Sequence, residues 1–232
     1  MEFSMKPLNS IPQNRFLLGL LVREYRWGLS LRGWFFALLL LASAFFLFLG
    51  CIHPFFAITQ RVKASLLVVE GWVPQYVMKK ASEEFLSGSY QRVFSTGGPV
   101  TGMGGYINDY STAAYIGATH LRNAGVPGRD VQSVPADKVE RDRTYTAAVA
   151  LHRWLSQNHP TERAVNIVTI DVHARRTRLL FQRAMGPEFQ VGIVSIANPD
   201  YDSRHWWRYS EGVRDVLGET IAYAYVKVFF HP

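Results

Sequence analysis

A run of twenty uncharged and mostly apolar residues at 33–52 limits what this 232-residue chain can fold into more than any other feature. A helix of that length rises about 30 Å, which is enough to cross the hydrocarbon core of a bilayer. A buried core helix would rarely stand at the start of so long a globular pattern. We therefore expect one membrane-spanning anchor at 33–52, which joins a short N-terminal segment to a folded domain.

The charges beside this run predict its orientation. Five basic residues precede it, whereas the near downstream flank carries only Arg61 and Lys63. The upstream five are Lys6, Arg15, Arg23, Arg26 and Arg32. Because basic residues accumulate on the cytoplasmic side, residues 1–32 are expected in the cytoplasm. The remainder is then expected outside it, on a single-pass protein of the plasma (inner) membrane.

Two sequence patterns offer alternatives to a plain anchor. Residues 42–44 (Ala-Ser-Ala) have the form of a signal-peptidase site, and residues 48–51 (Phe-Leu-Gly-Cys) loosely resemble a lipoprotein box. The 32-residue basic leader is long for a cleaved signal, so an uncleaved anchor is favoured, and lipidation of Cys51 stays open. A single cysteine excludes an internal disulfide framework and a cysteine-based zinc finger.

After the anchor, residues 53–63 are predicted as a linker, with Pro54 helping to end the helix, and residues 64–232 as one domain. Nearly all-apolar strands alternate with helices there, which indicates a parallel sheet covered on both faces. The expected fold class is α/β, a three-layer Rossmann-like domain. The strands are predicted at 64–69, 92–95, 131–134, 165–170 and 191–196, and the helices at 77–86, 111–124, 144–155, 173–185 and over a long closing segment from about 213.

Composition narrows the classes of partner. The formal charge of +7 is mild and spread along the chain, without the basic stripe that nucleic acid would require. An anionic membrane surface or an anionic small ligand suits this balance better. The seven histidines are scattered, without an HExxH pattern, so the sequence predicts neither a metal site nor a cofactor.

In open parallel sheets, ligands bind beyond the carboxyl ends of the strands. Four separate segments bring polar or glycine residues to that edge, and this convergence predicts a site there. The candidates are Glu70 and Gly71 after the first strand, Thr96, Gly97 and Gly98 after the second, Arg143 and Thr144 at a helix start, and Asp171, His173, Arg175 and Arg176 after the fourth strand.

Their chemistry points to an anion. Arg143, Arg175 and Arg176 stand in first helical turns, where the macrodipole disfavours cations unless an anion binds there. The alternative is that their stems pack on the surface with the charged ends in water. Glycines could add backbone amides, although those at 97, 98, 102, 104 and 105 match no dinucleotide fingerprint or P-loop.

Acid–base chemistry has three candidate catalytic residues. Asp171 or Glu70 could serve as a base and His173 as an acid or an orienting group. For each there is an ordinary structural role as well. Asp171 could simply cap the following helix, Glu70 could pair with an arginine, and His173 could be a packed histidine.

Four motifs in order, LLVVEGW, VFSTGGP, ERDRTYTAAVAL and IVTIDVHARRTRLLF, resemble the SanA/YdcF/ElyC-like envelope protein family over about residues 65–184. Matching positions are Gly71, Gly97, Gly98, Thr144, His173 and Arg176. Glu70 stands where that family usually has glycine, and Arg143 where it has asparagine, which suggests a divergent subgroup. The resemblance implies a Rossmann-like fold and a role in bacterial envelope biogenesis, in peptidoglycan, lipid-carrier or polysaccharide metabolism and barrier function.

The leading hypothesis is a membrane-anchored envelope factor whose domain binds an anionic, phosphate-bearing intermediate, with phosphoester hydrolysis or transfer as the reaction class if it is an enzyme. Its partners would be membrane lipid, that intermediate and other envelope proteins. A second hypothesis is a non-catalytic binding or scaffold module that recruits envelope enzymes. A third is a cytoplasmic nucleotide- or S-adenosylmethionine-dependent enzyme, which would require the opposite membrane orientation.

Overall fold

A computed structural model of the chain describes residues 14–16, 21–23, 27–101 and 107–231. The chain divides into two units, Met1–Gly50 and Cys51–Pro232. Much of the basic segment predicted at 1–32, and the glycines at 102, 104 and 105, lie outside the described residues.

The first unit contains a small antiparallel sheet and most of a long helix. Strands β1 (Asn14–Phe16), β2 (Leu21–Arg23) and β3 (Trp27–Leu29) pair in that order. Helix α1 follows over Leu31–Phe56, and its most apolar window has a mean hydropathy of 2.7 with none of it buried. Among the described residues, α1 is the one helix long and apolar enough to cross a membrane.

The end of α1 differs from the prediction. The helix continues past residue 52 to Phe56 and includes Pro54, so the predicted linker begins with helical residues. A proline in the last turn removes only one helical hydrogen bond. Packing favours the continuation, because Phe56 is buried and its ring lies 5.5 Å from the ring of Tyr223.

The second unit alternates strands and helices as predicted, with element ends shifted by a few residues. A short hairpin of β6 and β7 was not predicted. The elements are β4 (Leu66–Glu70), α2 (Gln75–Ser87), β5 (Arg92–Gly97), β6 (Pro99–Thr101), β7 (Ile107–Thr112), α3 (Ala113–Asn123), β8 (Val131–Pro135), α4 (Arg143–Asn158), β9 (Ala164–Ile170), α5 (Ala174–Met185), β10 (Gln190–Ile196) and α6 (Ser210–Val228).

Five of these strands form one sheet in the order β10-β9-β4-β5-β8, and every pair is parallel. Alternation along β4 sends Leu66 and Val68 into one apolar core and Leu67 and Val69 into a second. The first core includes residues of α4 and α5, and the second includes residues of α2 and α3. The prediction of an α/β domain with a parallel sheet flanked by helices is confirmed.

The strand order reverses between β4 and β9. From β4 the chain builds outward through β5 to β8, then returns to the other side of β4 and builds outward through β9 to β10. Connections leaving the carboxyl ends of β4 and β9 therefore diverge, and such a divergence opens a crevice where α/β proteins bind ligands. Glu70 ends β4, and Asp171 directly follows β9.

Candidate functional site

Glu70 is a carboxylate buried at the centre of the sheet's carboxyl edge, with only 2% of its surface exposed. Its Oε2 accepts hydrogen bonds from the hydroxyls of Thr169 at 2.5 Å and Thr177 at 3.1 Å, and its Oε1 accepts one from Thr144 at 3.3 Å. These donors come from β9, α5 and α4. These three hydrogen bonds replace those that the carboxylate would make with water, and they link the three elements around it.

His173 lies over this carboxylate and is held from the other side by Glu219 of α6. Its Nδ1 is 2.7 Å from Glu219 Oε1, and its Nε2 is 3.9 Å from Glu70 Oε2. A carboxylate only accepts hydrogen bonds, so Nδ1 carries the proton in this contact, and Nε2 is directed towards Glu70. The half-exposed Trp72 packs against His173 at an angle of 80°, with ring centres 5.0 Å apart.

Arg176 completes the cluster by forming a bidentate salt bridge with Glu219. Its Nε donates to Oε2 at 2.7 Å and its Nη2 to Oε1 at 2.9 Å. Burial alone would raise the pKa of Glu219, but hydrogen bonds from Arg176 and His173 outweigh it and lower that pKa to about 2. Burial opposes the charge on Arg176 in the same way, and its bond to Glu219 raises the pKa of the guanidinium. The anion beside Arg176 is thus a carboxylate of the protein.

Asp171 adopts a strained backbone conformation where β9 ends. Its φ is +37°, a region that residues other than glycine rarely occupy, and its side chain is buried. Its Oδ1 lies 3.1 Å from Nε2 of His53, at ion-pair distance but without hydrogen-bond alignment, and its Oδ2 accepts from the Asn198 backbone amide at 3.3 Å. Asp171 does not cap α5 with its side chain.

Two tyrosines lie close enough to Asp171 for its negative charge to affect their pKa values. Burial, followed by the nearby negative charges of Asp200 and Asp171, raises the pKa of Tyr76 to about 12. Burial and the Asp171 carboxylate also raise the pKa of Tyr201. The Tyr76 hydroxyl donates to Asn198 Oδ1 at 3.5 Å.

Arg175 and Arg143 have different environments. Arg175 donates from Nε to the backbone carbonyl of Phe55, and its guanidinium lies 3.9 Å from the centre of the Phe55 ring. It therefore supports the end of α1. Arg143 begins α4, is exposed, and makes no ion pair or side-chain hydrogen bond with the described part of the chain. Of the three predicted anion-binding arginines, Arg143 is the one left open to a ligand.

The glycines after β4 and β5 permit close packing. A Cβ on Gly71 would lie 2.1 Å from the carbonyl oxygen of Ala113, and the Gly71 amide already donates to Thr96 O at 2.7 Å. Gly97 has φ +150°, and a Cβ there would lie 2.7 Å from Ala113 Cβ. The carbonyl of Gly98 accepts from the Ala113 amide, and the Thr96 side chain is buried. These residues fit α3 closely against the sheet edge.

Apart from the exposed Arg143, the predicted candidates thus separate into two groups. The first group forms a cluster of polar side chains or lies beside it. The second group makes packing contacts around that cluster. The cluster comprises Glu70, Thr144, His173 and Arg176, and Asp171 lies two residues before His173 on the connection after β9. The packing contacts involve Gly71, Thr96, Gly97, Gly98 and Arg175.

Sequence reasoning missed Glu219, Thr169, Thr177 and His53. A signal was present for Glu219, because it is a charged residue on the side of α6 that also carries the buried Val216 and Val226. Among the described residues, no group of three or more His, Cys, Asp or Glu side chains is placed to hold a metal ion.

Comparisons with protein-family models, with curated proteins and with solved structures found no match to this chain.

Proposed function

We propose that this protein is a membrane-anchored envelope biogenesis factor, and that the carboxyl edge of its Rossmann-like domain binds an anionic, phosphate-bearing intermediate of peptidoglycan, lipid-carrier or polysaccharide metabolism. The observation that carries the proposal is the Glu219–His173–Glu70 arrangement at the strand-order reversal. The resemblance to SanA/YdcF/ElyC-like proteins supplies the envelope context. The basic N-terminal flank supports a cytoplasmic N-terminus at the plasma (inner) membrane.

The roles within the site follow from its hydrogen bonds. Glu219 fixes the proton of His173 on Nδ1, which leaves Nε2 as the general base or, once protonated, the general acid for a phosphoester. Glu70, whose carboxylate is held by three threonine hydroxyls, would stabilise positive charge that develops on the imidazole. Phosphoester hydrolysis or transfer is therefore the reaction class we propose.

Arg143 supports binding of the anion. Arg176 is neutralised by Glu219, and Arg175 is engaged with Phe55, whereas Arg143 is exposed at the N-terminus of α4. The positive end of that helix and the guanidinium would together attract a phosphate group. We assign Arg143 the contact with the ligand and Arg176 the positioning of Glu219.

The proposal is tested with the full-length protein in lipid nanodiscs. Its thermal stability is measured with polyprenyl phosphates, sugar nucleotides and inorganic phosphate, and phosphate release is measured in parallel. A ligand at about 100 times its Kd stabilises the folded state by roughly 2.7 kcal/mol. We expect R143A to abolish the shift, and H173Q to keep the shift but stop turnover. R92A, which removes an exposed arginine at the start of β5, is the matched control.

A second candidate function is a non-catalytic binding or scaffold module that recruits envelope enzymes. The observation that favours it is the internal neutralisation of the cluster, since Glu70 accepts from three threonines and Glu219 from Arg176 and His173. No thermal shift with any ligand in the panel, together with H173Q retaining function in cells, would favour this alternative over the enzyme.

A further inference from the structure

Helix α6 is apolar on its outward face. Eleven large hydrophobic side chains are exposed among the described residues of Cys51–Pro232, and five of them lie on α6 or at its C-cap. They are Leu217, Ile221, Tyr225, Val228 and Phe229, and Ile221 and Phe229 are exposed by 71% and 70%. Exposed hydrophobic residues scattered singly need no explanation, but this concentration on one helix does.

The five residues form one stripe. Positions 217, 221, 225 and 229 are four residues apart, and 228 is three residues from 225, so their side chains share one side of a helix. The opposite side carries Val216 and Val226, which are buried against the domain. A helix on the surface of a water-soluble domain would normally be polar on its outward side, and α6 is not.

The C-terminal end of α1 contacts α6 through Tyr223, which lies on the side of α6 opposite the stripe. The Tyr223 ring lies 5.9 Å from the ring of Phe55 and 5.5 Å from that of Phe56, and these are the third and fourth residues after the predicted span. Residues 221–229 lie within six positions of Tyr223, which is about 9 Å along the helix axis. If 33–52 crosses the bilayer, this part of α6 is near the lipid headgroups.

Charge along α6 agrees with a lipid surface. Its acidic residues, Glu211, Asp215 and Glu219, all precede the Ile221–Phe229 part of the stripe, and residues 220–232 contain no Asp or Glu. Lys227 and His231 are the titratable side chains beyond Tyr225. Aromatic and aliphatic residues beside a basic group are the composition that favours the headgroup region of an anionic membrane.

We propose that the α6 stripe, Leu217, Ile221, Tyr225, Val228 and Phe229, lies in the headgroup–acyl boundary of the membrane to which α1 anchors the chain. This inference rests on the anchoring part of the proposed function. Tethering by α1 keeps the stripe near the bilayer at high effective concentration, so a weak intrinsic affinity is sufficient. The contact would hold the domain in one orientation on the lipid surface.

Spin-label accessibility in the full-length protein tests the proposal. In a C51S background, Y225C and V228C are labelled one at a time and reconstituted in vesicles of phosphatidylethanolamine and phosphatidylglycerol. Collision rates with oxygen, which concentrates in lipid, are compared with those of a water-soluble nickel chelate. L86C is the matched control, because Leu86 is also exposed but lies on α2. L40C reports the anchor itself.

Support requires both α6 labels to collide more with oxygen than with nickel while the Leu86 label shows the reverse. If the α6 labels resemble the Leu86 label, the stripe faces water and the proposal is wrong. Low collision with both reagents, together with spin–spin broadening, would mean that a second copy covers the stripe, which also overturns it. If either of these outcomes is found while the Leu40 label is exposed to lipid, only this inference is wrong and α1 remains a membrane anchor. If the Leu40 label is exposed to water, the anchor and this inference are both wrong.

Discussion

His53 Nε2 lies 3.1 Å from Asp171 Oδ1, and both side chains are buried. The contact joins the last turns of α1 to the connection after β9, where the candidate site lies. Phe56, which is buried, and Arg175, which donates to the Phe55 carbonyl, reinforce the junction. The final residues of α1 therefore belong structurally to the α/β domain.

This junction predicts coupling between His53 and Asp171. We expect H53A and D171N each to destabilise the protein, and the double variant to be less destabilised than the sum by about 0.5–3 kcal/mol, because both changes remove the same contact. Urea unfolding of the full-length protein in detergent micelles measures the three values. Additive effects would show that the contact contributes no energy.

The lowered pKa of Glu219 predicts that the protein loses stability in acid. Its pKa is about 2 in the folded protein against an ordinary 4.5, so the folded state favours the ionised form. The associated stability is present above about pH 4.5 and is lost as the pH falls towards 2, with a full amplitude of roughly 3 kcal/mol. We expect E219Q to be destabilised at neutral pH and to lose most of this pH dependence.

Unfolding midpoints of wild type and E219Q between pH 7 and pH 2.5 check this expectation. E211Q is the control, since Glu211 lies at the solvent-facing start of the same helix and is bonded to Ser210. Parallel pH profiles for wild type and E219Q would contradict the ion-pair assignment.

The hydroxyls around Glu70 predict a second set of effects. T169V and T177V keep the side-chain shape but each remove one donor to a buried carboxylate, which should cost about 1–3 kcal/mol. T119V is the matched control, because the Thr119 hydroxyl bonds only to the carbonyl one turn earlier, and less than about 0.5 kcal/mol is expected there. Chemical unfolding measures all three; equal costs would mean that Glu70 does not depend on its donors.

Two glycines predict changes of opposite sign. G71A would place a Cβ 2.1 Å from the Ala113 carbonyl oxygen, which is backbone and cannot yield, so we expect a loss of roughly 2 kcal/mol or more. G218A meets open space within α6 and should raise stability by about 0.5–1 kcal/mol through helix propensity. Thermal unfolding of the two variants distinguishes these outcomes, and a tolerated G71A would contradict the close packing of α3 on β4.

Periodicity predicted the elements well and the ends of α1 less well. The five strands of the sheet appear within one or two residues of their predicted bounds, since buried parallel strands are continuous apolar runs. The hairpin of β6 and β7 escaped prediction, because short strands around a glycine-rich segment have no apolar period. Pro54 predicted that α1 would end there, but the helix continues to Phe56 because Phe56 packs on Tyr223.

The candidate site was predicted in part. Glu70, Thr144, His173 and Arg176 were expected at one edge because parallel strands bring their carboxyl ends together, and the structure places them in one cluster. Arg175 and Arg176 were predicted to bind an anion because they stand in the first turn of a helix. In the structure Arg176 pairs with Glu219 instead, and Arg175 packs on Phe55. Neither partner is near in sequence, so no local pattern could reveal it.

The sequence by itself determined the apolar helix, the α/β alternation and the edge of the sheet where polar residues gather, because each depends on local composition or on a short period. Only the tertiary structure decided which charges meet. The packing of α6 on α5 places Glu219 between His173 and Arg176, and the packing of the end of α1 places His53 against Asp171. Such pairings depend on the approach of distant elements, which local hydropathy and turn chemistry do not encode.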